Sequence, residues 1–97
     1  MPALFRVLTT PPYERDAQKA ARRNPHLIEF IKETIANLRD DPMNLSRRYD
    51  IKKLRNVARG EGQWRIRSGD YRMRYDIIGN DVVLYSFRHR KDAYRDI

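Results

Sequence analysis

The chain has 97 residues, 40% of them hydrophobic and 35% charged, which suffices for one modest core and not for two. It contains no cysteine, so disulfides, thiolate metal sites and a cysteine nucleophile are excluded, and no apolar run reaches the length that spans a bilayer. A formal charge of +8 and a pI near 10.2 point to a polyanionic partner, with nucleic acid ahead of an anionic membrane or an acidic protein.

In chain order, residues 3 to 9 (ALFRVLT) read as a first strand. Thr10 is placed to cap a helix whose first turn holds Pro11 and Pro12, and Asn24-Pro25 breaks it. The next segment, HLIEFIKETIANLRDDP, is the clearest helix. Leu27, Ile31, Ile35 and Leu38 recur on one face with Ile28 beside them, and Pro42 ends it. Residues 43 to 61 read as irregular and basic. From Gln63 the period becomes two: Trp64 and Ile66 alternate with Arg65 and Arg67, SGD turns the chain, and Tyr71, Met73, Tyr75 and Ile77 alternate with Arg72, Arg74 and Asp76. A second turn at GND leads into VVLYSFRH. The order β-α-α-β-β-β predicts one α+β domain over 1–97, with two N-terminal helices on one face of a small antiparallel sheet. The opening MPALFRV lacks the apolar core of a signal peptide, so a cytoplasmic protein is expected, with no membrane partner.

In a sheet covered on one side, Trp64, Ile66, Tyr71, Met73 and Tyr75 must face the helices. Arg65, Arg67, Arg72 and Arg74 then share the outer face, with Asp76 among them by parity. Pairing Arg67 with Arg72 and Arg65 with Arg74 sets like charges opposite each other, at up to about 1 kcal/mol per pair. Such a face weakens the unliganded fold and favours a bound anion. The plainer reading is a solvated face on which arginine stems cover apolar surface. Four arginines together, with further basic clusters nearby, favour the anion site. A three-residue GND loop would add Arg88 opposite Arg72 and Ser86 opposite Arg74. A two-residue loop would instead turn Val83, Tyr85 and Phe87 outward. His26 reads as an ordinary surface imidazole. No HExxH pair, carboxylate–histidine cluster or glycine-rich phosphate loop is present, so neither a metal nor another cofactor is expected.

The segments KKLRN, QWRIRSGDYRMRYDI and DVVLYSFRHRKDAY resemble the toxins of the RelE/ParE superfamily from type II toxin–antitoxin systems. The match covers the last half of the chain, and the β-α-α start and the length agree with a RelE-like fold. The resemblance implies a ribosome-dependent endoribonuclease (an mRNA interferase) that inhibits translation. Its partners would be messenger RNA, the ribosome and a cognate antitoxin. Carried onto this chain, the catalytic positions fall on Arg65, Arg67, Arg72, Arg90 and Tyr94, with Arg88 competing for the role of Arg90. The best-known members have lysines at the first two positions; arginine effectively cannot give up its proton.

In metal-free RNA cleavage the 2′-hydroxyl is the nucleophile, and the guanidinium groups suit phosphate. Proton transfer then falls to Tyr94, which would take or relay the 2′-hydroxyl proton, and to His89 as acid or second base, with nearby cations poising either for base catalysis. Arg47, Arg48, Lys52, Lys53, Arg74 and Arg88 are expected to hold ribosomal or messenger RNA backbone. Three other readings remain: a ParE-like toxin that poisons DNA gyrase without nuclease chemistry, a non-catalytic RNA-binding module, and a toxin of the family that has lost activity.

Overall fold

The computed structural model describes residues 4 to 91. Strand β1 (Arg6–Thr9) leads into helix α1 (Pro11–Arg23) and helix α2 (Leu27–Asp40). Four strands follow: β2 (Asp50–Lys53), β3 (Trp64–Ser68), β4 (Tyr71–Ile78) and β5 (Asp81–His89). They form one sheet in the order β1-β5-β4-β3-β2, antiparallel except where β1 runs parallel to β5. The α+β layout is the expected one, with a strand more than the alternation suggested. The added strand is β2, within the stretch read as irregular; its four residues carry a single apolar side chain, Ile51.

Local chemistry explains the helices. The Thr10 hydroxyl accepts from the Tyr13 N–H and donates to the Leu84 carbonyl, capping α1 and tying its start to β5. Pro11 and Pro12 occupy the first turn, where no intrahelical N–H bond is lost. Helix α2 buries Leu27, Thr34 and Leu38, and Ile31 and Ile35 pack at the core margin. Ile28 lies off that face and is 46% exposed.

Tyr13 and Ala17 from α1 and Leu38 from α2 meet Ile66, Met73, Tyr75, Val82, Leu84 and Phe87 from the sheet. The Tyr75 hydroxyl donates to the Pro42 carbonyl at 2.7 Å, joining the middle of the sheet to the end of α2. Burial pushes the Tyr13 and Tyr75 hydroxyls well above the usual phenol range.

Both hairpins after β3 have two-residue loops beginning with a left-handed glycine, Gly69 (φ 59°) and Gly79 (φ 60°). The second loop is therefore Gly79-Asn80 and not the three-residue GND expected. Arg74 nevertheless pairs with Ser86, and Arg72 with Arg88. Tyr75 faces Leu84, which leaves Tyr85 as the extra residue of a β-bulge. Before the bulge Val82 and Leu84 point into the core; after it, Phe87 does.

The segment after α2 is built on Asp41, whose carboxylate accepts from the Leu45 N–H, the Ser46 N–H and the Ser46 hydroxyl. Burial pushes this carboxyl up, but the Ser46 and Leu45 donors and the Arg48 charge outweigh it, and the pKa is lowered. A carboxyl with a depressed folded pKa contributes stability fully above its unfolded value, near 3.8. That contribution fades as pH falls through the folded value. Asp41→Asn is expected to lower stability by about 1–3 kcal/mol at pH 7. Its deficit relative to the native chain should shrink below about pH 4. Urea melts at pH 7 and pH 3 check both.

Candidate phosphate-binding face

Two rows of side chains cross the sheet on the side away from the helices. One runs Lys52, Arg65, Arg74, Ser86; the next runs Asp50, Arg67, Arg72, Arg88. The predicted arginine pairs, Arg65 with Arg74 and Arg67 with Arg72, are register partners, so like charges do face each other across β3 and β4. Six of these eight positions are cationic and one is a carboxylate.

That carboxylate belongs to Asp50. It accepts from Arg67 Nε at 2.6 Å and from an Arg65 terminal nitrogen at 3.2 Å. It offsets part of the repulsion, and it was not anticipated because β2 itself was not. Arg74 is held differently, donating from Nε and Nη2 to the Gly62 carbonyl at 3.1 and 2.8 Å. Gly62 has no room for a side chain: a Cβ there would lie 2.9 Å from that of Arg74.

Among the described residues, the buried side-chain polar atoms without a hydrogen-bond partner are Arg65 Nε, Arg72 Nη1 and the Tyr13 hydroxyl. Two of the three belong to the arginine face. An unsatisfied buried donor costs about 1–3 kcal/mol. A bound anion that reached these guanidinium groups would offset that cost.

Asp76 does not temper this face. Parity puts it on the outer side, but the loop over residues 54 to 63 folds across that end of the sheet and leaves it 1% exposed. Its carboxylate accepts from the Gly60 and Gln63 N–H groups. Burial, and then the Asp76 charge, hold the nearby Tyr85 hydroxyl above its usual range. Next to this loop, Lys52, Lys53, Leu54, Arg55, Val57 and Arg74 line a basic hollow of about 500 Å³.

The other expected site residues are spread more widely. His89 pairs with Tyr71 on the helix side, its ring edge-on to Tyr71 with centroids 5.1 Å apart. It therefore lies across the sheet from the arginines, because the bulge gives the outward place to Arg88. Arg90 is exposed where the chain leaves β5, and its N–H donates to the Asp70 carbonyl. Tyr94 lies outside the described residues. Lys53 stacks over the Trp64 ring. Arg48 binds Asp40 and the Ser46 hydroxyl and covers Tyr49, while Arg47 is exposed with φ 60°. Among the described residues, no helix is long and apolar enough to cross a membrane.

Comparison with known proteins agrees with the motif resemblance. The solved structures similar to this one include the RelB–RelE antitoxin–toxin complex of Methanococcus jannaschii, with a TM-score of 0.70 and 24% identity over 93% of this chain and 98% of that one. They also include the RelBE2 toxin–antitoxin complex of Mycobacterium tuberculosis, with a TM-score of 0.68 and 26% identity over 90% of this chain and 99% of that one. No curated protein matches the sequence significantly. The family model for the ParE toxin of type II toxin–antitoxin systems matches residues 7–94. With that match spanning nearly all of the sequence, and with the RelE-like fold, the chain belongs to the RelE/ParE superfamily of type II toxins.

Proposed function

We propose that this toxin is an endoribonuclease that cuts messenger RNA on the ribosome, with the arginine face as its phosphate site. The observation that carries this reading is the pair of unsatisfied buried guanidinium donors, on Arg65 and Arg72, within two cationic rows. The RNA 2′-oxygen attacks the adjacent phosphorus as the P–O5′ bond breaks, leaving a 2′,3′-cyclic phosphate and a 5′-oxygen that takes a proton from water to become a 5′-hydroxyl. Arg65, Arg67 and Arg72 stabilise charge on the phosphorane oxygens, and Arg88 and Arg90 extend the grip along the strand. Tyr94 is the candidate base for the 2′-hydroxyl proton. This reading leaves His89, on the helix side of the sheet, out of the base role. The RNA carries its own nucleophile, so the scheme calls on no metal or other cofactor.

Arg47, Arg48, Lys52, Lys53 and Arg74 would hold ribosomal or messenger backbone without reading sequence. A cognate antitoxin is the expected protein partner, as in the two complexes with similar toxin folds. The family match itself favours a second reading, a toxin that binds and poisons DNA gyrase. One experiment separates the two: messenger RNA with and without translating ribosomes, new ends mapped for cyclic phosphate, and gyrase supercoiling run in parallel. New cyclic-phosphate ends support cleavage. Inhibited supercoiling with intact RNA supports gyrase poisoning.

Asp50 offers a graded check. Asp50→Asn frees Arg65 and Arg67 at little cost, since exposed ion pairs contribute about 0–1 kcal/mol. Single-stranded RNA should bind about threefold to tenfold tighter at low salt, with the gain shrinking as salt rises. Fluorescence anisotropy at two salt concentrations measures it.

A further inference from the structure

A second cleft lies on the other side of the sheet, and its chemistry differs from that of the arginine face. Strand β1 pairs with β5 only as far as Leu84, so the end of β5 has no strand beyond it among the described residues. Helix α1 passes over that open edge instead. The gap between them is a cleft of about 700 Å³, within the range of small-ligand sites. Asp16, Lys19, Ala20 and Arg23 form its helix wall, a stripe at the spacing of one helical face. Tyr71, Phe87 and His89 form the sheet wall, with the Tyr71 and Phe87 rings stacked 4.9 Å apart.

We infer that this cleft binds a nucleotide, with its phosphate on Lys19 and Arg23, its base against Tyr71 and His89, and its ribose hydroxyls toward Asp16. Three observations converge on a ligand with both anionic and donor groups. Lys19 and Arg23 are exposed and have no ion pair among the described residues. Tyr71 and His89 are half-buried and offer aromatic surface at the cleft wall. The Asp16 carboxylate spends one oxygen on the Phe87 N–H, at 3.3 Å, which holds it at the cleft and leaves the other as an acceptor. A carboxylate fixed there disfavours a purely acidic peptide and suits a ligand that pairs phosphate with hydroxyl groups. Arg88 lines this cleft and is also the register partner of Arg72 on the arginine face. A strand held on one side therefore has a cationic path around the end of β5 to the other. The inference rests on the RNA-cleaving reading only in naming this nucleotide as one flanking the cut.

The chain has two histidines, so the His89 imidazole proton resonance is a local reporter and that of His26 an internal control. The full-length protein is titrated separately with adenosine 5′-monophosphate, inorganic phosphate, adenosine and an acidic hexapeptide. The nucleotide should shift His89 saturably and leave His26 unmoved, with phosphate and adenosine each at least roughly tenfold weaker, since stacking and charge contribute separately. Lys19→Glu/Arg23→Glu, at exposed helix positions, should weaken the nucleotide by about tenfold or more while the thermal midpoint stays near that of the native chain. A silent His89, an unaffected double variant or a tighter hexapeptide overturns the inference. RNA cutting assayed on the same samples keeps the two readings apart. Native protein that cuts RNA while His89 stays silent refutes the cleft alone. Nucleotide binding by protein that cuts no RNA refutes the cleavage reading alone.

Discussion

Arg72→Ala will lose RNA cleavage by about 100-fold to 1000-fold, the largest activity loss of any single change on the arginine face. Arg72 sits in the middle of its row, between Arg67 on β3 and Arg88 on β5. Its Nη1 is buried without a partner, so alanine removes a guanidinium with unspent donor capacity from the centre of the face. Loss of one such preorganised donor from a transition state costs about 3 kcal/mol or somewhat more. Arg72→Lys should recover only part of the activity, because an ammonium keeps the charge and loses the planar fork. The fold should tolerate both changes, since alanine also relieves the repulsion from Arg67 and Arg88. Single-turnover cleavage beside a urea melt is the measurement. Cutting within threefold of native by a folded Arg72→Ala protein would remove the arginine face from the chemistry.

The largest loss of stability is expected at a residue that touches no substrate. Asp76→Ala should cost about 3 kcal/mol or more, because two backbone N–H groups lose a charged acceptor worth about 1.5–3 kcal/mol each. In a domain of this size that lowers the thermal midpoint by roughly 12 °C or more. The same change frees the loop whose Gly62 carbonyl anchors Arg74, so RNA binding should weaken modestly as well. Asp76→Asn should fall between, since an amide offers one oxygen where the carboxylate offered two. Calorimetry across the three proteins gives the order.

The parts of this molecule with a regular repeat were readable before the structure. The alternation of Ile66, Met73 and Tyr75 with Arg65, Arg72 and Arg74 determined both faces of the central hairpin, because a strand repeats every two residues. Helix α2 announced itself through Leu27, Ile31, Ile35 and Leu38, and α1 through its threonine cap and proline start. What escaped had no repeat to betray it. Strand β2 is too short for a period, and with it went the ion pairs of Asp50. The loop over residues 54 to 63 is held by one distant carboxylate, so its course over Asp76 had no local signal. The proton-transfer role expected of His89 came from its chemistry alone; it follows the outward-facing Arg88 on β5, and adjacent strand residues point to opposite sides.

The bulge at Tyr85 has a wider consequence. It works as a frame-shift written into the backbone: because Tyr85 is left unpaired, the last stretch of β5 turns guanidinium and not imidazole toward the arginine face. Deleting Tyr85 would only close the bulge, because every later residue of β5 would keep its partner on β4. What would exchange Arg88 for His89 is the pairing of Tyr85 with Arg74, which slides the rest of β5 by one place and turns Phe87 and His89 outward.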